Sequence, residues 1–238
     1  MSTFLQLDQA RIDETVLALR PDYRASLLVA SGLTAGDSDQ ASDDLLTAAE
    51  TKARVLLAST PAEELPHVSA WRETYRSFGA KPQRTRNSLE ALLRRAESGL
   101  PRVNRLTDIY NAISVLHQVP LGGEDLDRYA GAPRLVRASG DEAFDTTAGG
   151  VDVSEHPEAG EVVWRDDVGV TCRRWNWRQG RRTQLLDRTT NALFILDALD
   201  PMTDDQLHDA SEELATYLAR LGPDVDIESR LLGASTLT

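Results

Sequence analysis

Hydrophobic residues change their spacing at one place in this 238-residue chain, the run Pro120-Leu121-Gly122-Gly123. Before it, apolar side chains mostly recur every three to four residues; after it, they fall in short runs bounded by turn residues. The first pattern stacks side chains on one helix face, and the second suits strands. Leu45, Leu46, Ala49, Ala53, Leu56 and Leu57 predict a helix capped by Ser42 or Asp43 that runs to about Ser59, and Pro61 opens a second helical stretch to about Tyr75. Leu89, Leu92, Leu93 and Ala96 predict a helix capped by Asn87 or Ser88 and closed by Gly99. Leu106, Ile109, Ile113 and Leu116 predict another over Asn104–His117, with Asn104 and Asn111 on one face, ended by the Pro120 run. Tyr23–Ser31 reads as a buried strand, and Leu135–Ala138, Glu161–Arg165 and Val168–Trp177 as later ones, the last two joined at Asp166-Asp167. Asn191–Leu199 is apolar and fits strand or helix, Thr203–Leu221 is an amphipathic helix, and residues 229–238 are expected to fray. Helices early and strands late point to one α+β domain over residues 1–238, a mixed β-sheet core flanked by helices.

Composition narrows the function class. Hydrophobic content of 41% and charged content of 27% fit a soluble globular chain. No apolar run approaches the roughly 18–20 residues of a membrane span. The N-terminus carries no basic stretch followed by an apolar one, so a cytosolic location is expected. The single cysteine, Cys172, allows no internal disulfide.

The formal charge of −12 argues against a simple nucleic-acid binder, and DNA is not an expected partner. Its distribution matters more than its sum. Residues 1–71 carry a net of −6 and residues 196–238 a net of −8, whereas residues 72–105 carry +6 and residues 173–188 carry +5. The first basic segment includes Lys81, Arg84, Arg86, Arg94 and Arg95; the second includes Arg173, Arg174, Arg178 and Arg181. Converging in space, they would make a patch for a polyanion; apart, they are solvated faces paired with acidic neighbours.

No phosphate-loop, dinucleotide or zinc-protease pattern is present, and the four His residues lie far apart without carboxylates at ligand spacing, so neither metal nor cofactor is expected. Two constellations remain. In Arg173-Arg174-Trp175-Asn176-Trp177-Arg178-Gln179, a strand would put Trp175 and Trp177 with Arg173 on one face, and Arg174, Asn176 and Arg178 on the other. That gives either an aromatic wall backed by a row of donors, or two core Trp with exposed Arg. In Gly122-Gly123-Glu124-Asp125, the glycines permit close ligand approach, and the acids either bind an ammonium group, orient a water or cap the next turn.

Residues from about Tyr75 to Leu199 resemble the tRNA-binding and editing domain of the bacterial phenylalanyl-tRNA synthetase beta chain. The resemblance rests on Asp108-Ile109-Tyr110-Asn111 followed by Pro120, on Asp125-x-Asp127-Arg128, and on Asn191-Ala192-Leu193-Phe194. Phe78-Gly79-Ala80-Lys81-Pro82, the Gly-Gly-Glu-Asp turn and the Arg-Arg-Trp-Asn-Trp-Arg-Gln run look like that domain's free-standing bacterial relatives. The resemblance implies an α+β fold with a pocket for an aminoacyl group, tRNA or aminoacyl-tRNA as partner, and hydrolysis of misacylated tRNA in trans. Glu124, Asp125, Asn176 and Arg174 are then the expected catalytic residues. Asn111, Gly122, Gly123, Arg173, Trp175 and Trp177 would bind the substrate, and Lys81, Arg84, Arg86, Arg94, Arg95, Arg178 and Arg181 the tRNA. Where the synthetase pocket carries a His and a Glu, this chain has Gly122 and Ile195. The rival expectation is a non-catalytic module that binds tRNA, a free amino acid or a small anion.

Overall fold

The computed structural model describes residues 3–233 and has an α+β fold. Its elements are α1 (Thr3–Asp8), β1 (Arg11–Ile12), α2 (Glu14–Leu19), β2 (Arg24–Ser31), α3 (Gln40–Leu57), α4 (Pro66–Ser77), α5 (Ser88–Arg95), α6 (Arg105–His117), β3 (Leu121–Asp125), β4 (Arg134–Arg137), β5 (Phe144–Ala148), β6 (Val151–Glu155), β7 (Val162–Arg165), β8 (Val170–Arg173), β9 (Arg178–Gln179), β10 (Asn191–Ala198), α7 (Asp204–Leu218) and β11 (Asp226–Gly233). Short 3-10 turns cover Ala62–Glu64 and Leu126–Arg128.

Three sheets result. The first runs β11-β2-β10-β3 and is antiparallel throughout; the second runs β1-β4-β7-β8-β9; β5 and β6 form a hairpin. The centre of the first sheet decides where everything else sits. Every residue of β10 from Ala192 onward is buried, because helices cover one face and the second sheet covers the other. Ala192, Phe194 and Leu196 join the helical core with Leu46, Leu93 and Ile113. Leu193 and Ile195 join the core shared with Trp164, Trp175 and Tyr23. A strand buried on both faces loses the polar-apolar alternation that marks a half-buried one, which is why Asn191–Leu199 was ambiguous as sequence.

Side-chain caps set the helix starts. Asn87 accepts from Glu90 N, Asn104 from Thr107 N and Thr203 from Gln206 N, each satisfying an amide the helix leaves open. Four expectations need correction. Asp39, not Ser42 or Asp43, caps α3, and Ser42 closes the reciprocal capping box. Asn104 is a cap and not a face residue of α6, so it shares no helix face with Asn111. The helix α6 ends at a left-handed Gln118, and Leu121–Asp125 then pairs with β10 as a strand. Residues 229–233 do not fray but lie in β11 against β2; residues 234–238 fall outside the described residues. The hairpin β5–β6, turned at Gly149-Gly150 with both φ positive, has no counterpart in the hydrophobic pattern, because its outer positions face solvent.

Candidate functional site

The cross-strand register places the chemistry. Leu193 lies opposite Glu124 and Ile195 opposite Gly122, while Asp197 N donates to Pro120 O at 2.9 Å. A strand alternates its faces every residue, so Gly122 and Glu124 share one face of β3, and Leu193, Ile195 and Asp197 share the matching face of β10. Glu124 and Asp197 are thus separated along the sheet, with Gly122 and Ile195 between them. Above this face lies a cavity of about 260 Å³. Ser88, Leu92, Tyr110 and Asn111 close it from α5 and α6; Trp164 and Cys172 come from β7 and β8; Trp175, Asn176, Trp177 and Gln179 come from the segment after β8.

Both acids are nearly inaccessible to solvent. Burial pushes the Glu124 carboxyl up to about 7, against hydrogen bonds from Tyr129 and Thr171 that favour its ionised form. The Tyr129 hydroxyl donates to it and lies 3.2 Å from the Thr171 hydroxyl, from which it accepts. Burial likewise pushes the Asp197 carboxyl up to about 7, opposed by the Tyr23, Asn176 and Trp164 donors that face it. Tyr23 donates to Asp197 at 2.5 Å and meets the edge of Trp175 at 4.8 Å. Ser88 Oγ on the cavity wall has no hydrogen-bond partner, while Trp164 Nε1 and Asn176 Nδ2 face Asp197, and Trp175 Nε1 faces Tyr23, outside strict hydrogen-bonding geometry. These nitrogen donors surround the buried Tyr23 hydroxyl and Asp197 carboxyl at the base of the cavity. The Cys172 thiol is pushed well above its ordinary value, first by burial, so it is no thiolate nucleophile at neutral pH.

The expected strand Val168–Trp177 stops at Arg173. Arg174 and Trp175 take positive φ, 48° and 68°, so Trp175 and Trp177 are not i, i+2 neighbours on a strand face. Both still reach the cavity, and so do Asn176, Asn111, Gly122 and Glu124. Four other expected residues sit outside it. Asp125 accepts from Asp127 N and from Thr189 Oγ1 at 2.9 Å, fastening the 3-10 turn. Arg173 is buried in ion pairs with Glu161 at 2.8 Å and Glu155 at 3.0 Å. Arg174 contacts Glu161 and Thr85 on the far side of the Trp175 turn. Gly123 faces the helical core, where a Cβ would come within 2.8 Å of the Phe194 ring. A Cβ at Gly122 would meet Gln179 Nε2 at 2.9 Å, the nitrogen that donates to Gly123 O.

The two basic segments do meet, through Arg174 Nη1 to Thr85 Oγ1 at 2.5 Å and Ser88 N to Asn176 O at 3.0 Å. Much of their charge is neutralised internally. Arg86 and Arg94 pair with Glu90, Arg178 with Glu155 at 3.1 Å and Arg181 with Asp152 at 3.2 Å. Lys81, Arg84 and Arg95 form no salt bridge among the described residues and are exposed. No cluster of three or more His, Cys, Asp or Glu able to hold a metal occurs among the described residues, nor is any helix there long and apolar enough to cross a membrane.

Asp197, Tyr23 and Trp164 were not anticipated. The available signal was a lone Asp inside Ala192–Leu199, an otherwise apolar run whose first residue is preceded by Asn191; an acid there is either paired or functional.

Residues 70–223 match the B3/4 domain family. That stretch is more than half of the chain, and the chain belongs to this family. Among solved structures, an N-terminal fragment of the phenylalanyl-tRNA synthetase beta-subunit from Pyrococcus horikoshii is similar at 12% identity and a TM-score of 0.44, covering 94% of this chain and 50% of that one. The chain therefore spans half the length of that fragment. No curated protein matches the sequence.

Proposed function

We propose that this chain binds the aminoacyl end of tRNA in the Trp-walled cavity and hydrolyses its ester, acting in trans in the cytosol. The observation that carries this reading is the pairing of two buried carboxyls, Glu124 and Asp197, on one sheet face beneath a single cavity. The polar groups expected at 122 and 195 are absent, yet each strand offers an acid two residues further on, on the same face. An aminoacyl ester presents an ammonium group, a side chain and a carbonyl, and this cavity has a counterpart for each.

Asp197, as carboxylate, takes the ammonium group. Trp164, Trp175 and Ile195 take the apolar side chain. Glu124, titrating near neutral pH, accepts a proton from the attacking water. The water oxygen bonds to the ester carbon, and the bond from that carbon to the ribose oxygen breaks. The ribose hydroxyl leaves with a proton returned from Glu124. Asn111 and Ser88 on the opposite wall are the donors available to the carbonyl oxygen. Because an aminoacyl ester is already activated, positioning and one base suffice without metal.

The deciding experiment incubates purified protein with a panel of tRNAs charged with cognate and non-cognate amino acids. Selective release of one amino acid, abolished by Glu124→Gln, is the expected result. No release above buffer by folded protein across the panel rejects the hydrolase. The internal pairing of Arg86, Arg94, Arg178 and Arg181 favours a second reading, a binder of free amino acid. In that case amino acids raise the melting temperature, and tRNA does not compete.

A further inference from the structure

Arg174 and Trp175 are adjacent in sequence but line different cavities. Their positive φ angles, 48° and 68°, are costly for residues bearing side chains and persist only where the surroundings hold them. The turn sends Trp175 into the aminoacyl cavity and the Arg174 guanidinium to the opposite side. There a second cavity of about 330 Å³ is lined by Lys81, Arg84, Thr85 and Arg174, with Glu158 and Glu161 also on its wall. Glu161 is already paired with Arg173 at 2.8 Å and Arg174 at 3.4 Å. Lys81 and Arg84 are exposed without a salt bridge among the described residues, so two unpaired cations line the cavity beside Glu158.

The two cavities share a wall. Thr85 and Arg174 line one, Ser88 and Asn176 the other, and the Ser88 N to Asn176 O bond at 3.0 Å ties the two segments together. Trp177 spans the same wall: it lines the first cavity, and the Arg174 guanidinium carbon lies 4.6 Å from its ring centre. Aromatic rings beside cationic grooves serve as stacking platforms for single-stranded bases.

We infer that the second cavity is a phosphate site, and that it receives one backbone phosphate of a single-stranded polynucleotide 3′ end while the neighbouring cavity holds the aminoacyl group. The inference rests on the aminoacyl reading of the first cavity. Arg174 supplies a planar fork of donors, held in place by Thr85 and Glu161, and Lys81 and Arg84 supply mobile charges that close on the phosphate.

The test uses the full chain and a CCA trinucleotide, compared with the same trinucleotide bearing one neutral methylphosphonate linkage. Because Lys81 and Arg84 are exposed, the double variant K81Q/R84Q is expected to fold, which circular dichroism checks. It should bind the trinucleotide about tenfold more weakly, with a salt slope shallower by about 0.7, the value for one phosphate on a single strand. It should also lose the wild-type preference for the charged linkage. Lys52→Gln, on the exposed side of α3, should change none of these. Equal binding by wild type and double variant, or no wild-type preference for the charged linkage, overturns the site. Displacement by equimolar inorganic phosphate also overturns it, assigning the cavity to free anions. Amino-acid titration reads the first cavity separately. Intact amino-acid binding with no trinucleotide effect sinks the phosphate site alone. A trinucleotide effect without amino-acid binding or ester hydrolysis sinks the aminoacyl reading alone.

Discussion

Asp197 ionises near pH 7 because burial withholds water from its carboxylate, and the Tyr23 hydroxyl does not make up the loss. Its native value lies above the ordinary 3.8. The folded state therefore keeps a proton that the unfolded chain releases, and stability falls as pH rises from about 4 to about 7, by on the order of 4 kcal/mol. Asp197→Asn should remove that slope and raise the melting temperature at pH 8, as followed by thermal unfolding across pH. The buried ring of His67, lowered to about 4 chiefly by burial, acts in the opposite direction below its ordinary value, so the difference between variant and wild-type profiles isolates Asp197. A cationic ligand should bind the wild type more tightly as pH rises through 7, and Asp197→Asn should weaken it. Flat binding across that range would remove Asp197 from the site. Glu124→Gln should lower deacylation by about 10²–10⁴-fold with the fold retained, and the wild-type rate should climb as pH rises through about 7. A rate indifferent to this substitution would assign the base elsewhere.

The segment that turns out of β8 illustrates how an element is held at a functional wall. Arg173 is clamped by Glu161 through Nε and Nη2, each at 2.8 Å, and by Glu155 at 3.0 Å. Glu161 also accepts from Arg174 N at 3.2 Å. The ion pair thus anchors the start of the left-handed turn that aims Trp175. Glu161→Gln leaves a largely buried guanidinium half-partnered and should cost about 3–5 kcal/mol, measured by urea unfolding, with weaker amino-acid binding beyond the loss of stability. Asn87 plays a simpler part. Its side chain caps α5, whose first turn brings Ser88 to the cavity. Asn87→Ala should cost about 1 kcal/mol, and a loss several times larger would show that Asn87 does more than cap.

Across the whole molecule, much of the basic middle is paired with acids close to it in the fold. The hairpin β5–β6 supplies Asp152 and Glu155 to Arg181 and Arg178, and α5 supplies Glu90 to Arg72, Arg86 and Arg94. The exposed Arg181–Asp152 pair adds little stability, whereas Glu90 is buried; together these pairs reduce the positive charge free for a polyanion. Weak tRNA binding with a shallow salt slope is the expected outcome, and a slope matching six or more phosphates would contradict this charge arrangement. The two large sheets share one core around Tyr23, Trp164 and Trp175, so calorimetry should record a single unfolding transition. Two separated transitions would mean that residues 1–238 are not one cooperative unit.

Period and punctuation determined much of this protein on their own. The spacing of Leu89, Leu92 and Leu93, a cap at Asn87 or Ser88, and the apolar Tyr23–Ser31 run are local facts, and local hydrogen bonding and side-chain geometry suffice to read them. The Trp175-Asn176-Trp177 wall and Glu124 were visible as unusual residues, but their surroundings were not. What only the tertiary structure decided is non-local. It took the β3–β10 register to set Asp197 and Glu124 on one face, and a positive-φ turn at Arg174-Trp175 to separate an arginine from its neighbouring tryptophan. Burial was the main cause that moved both carboxyls to about 7. Burial and register depend on partners more than sixty residues away in the chain, and no window of sequence contains both members of such a pair.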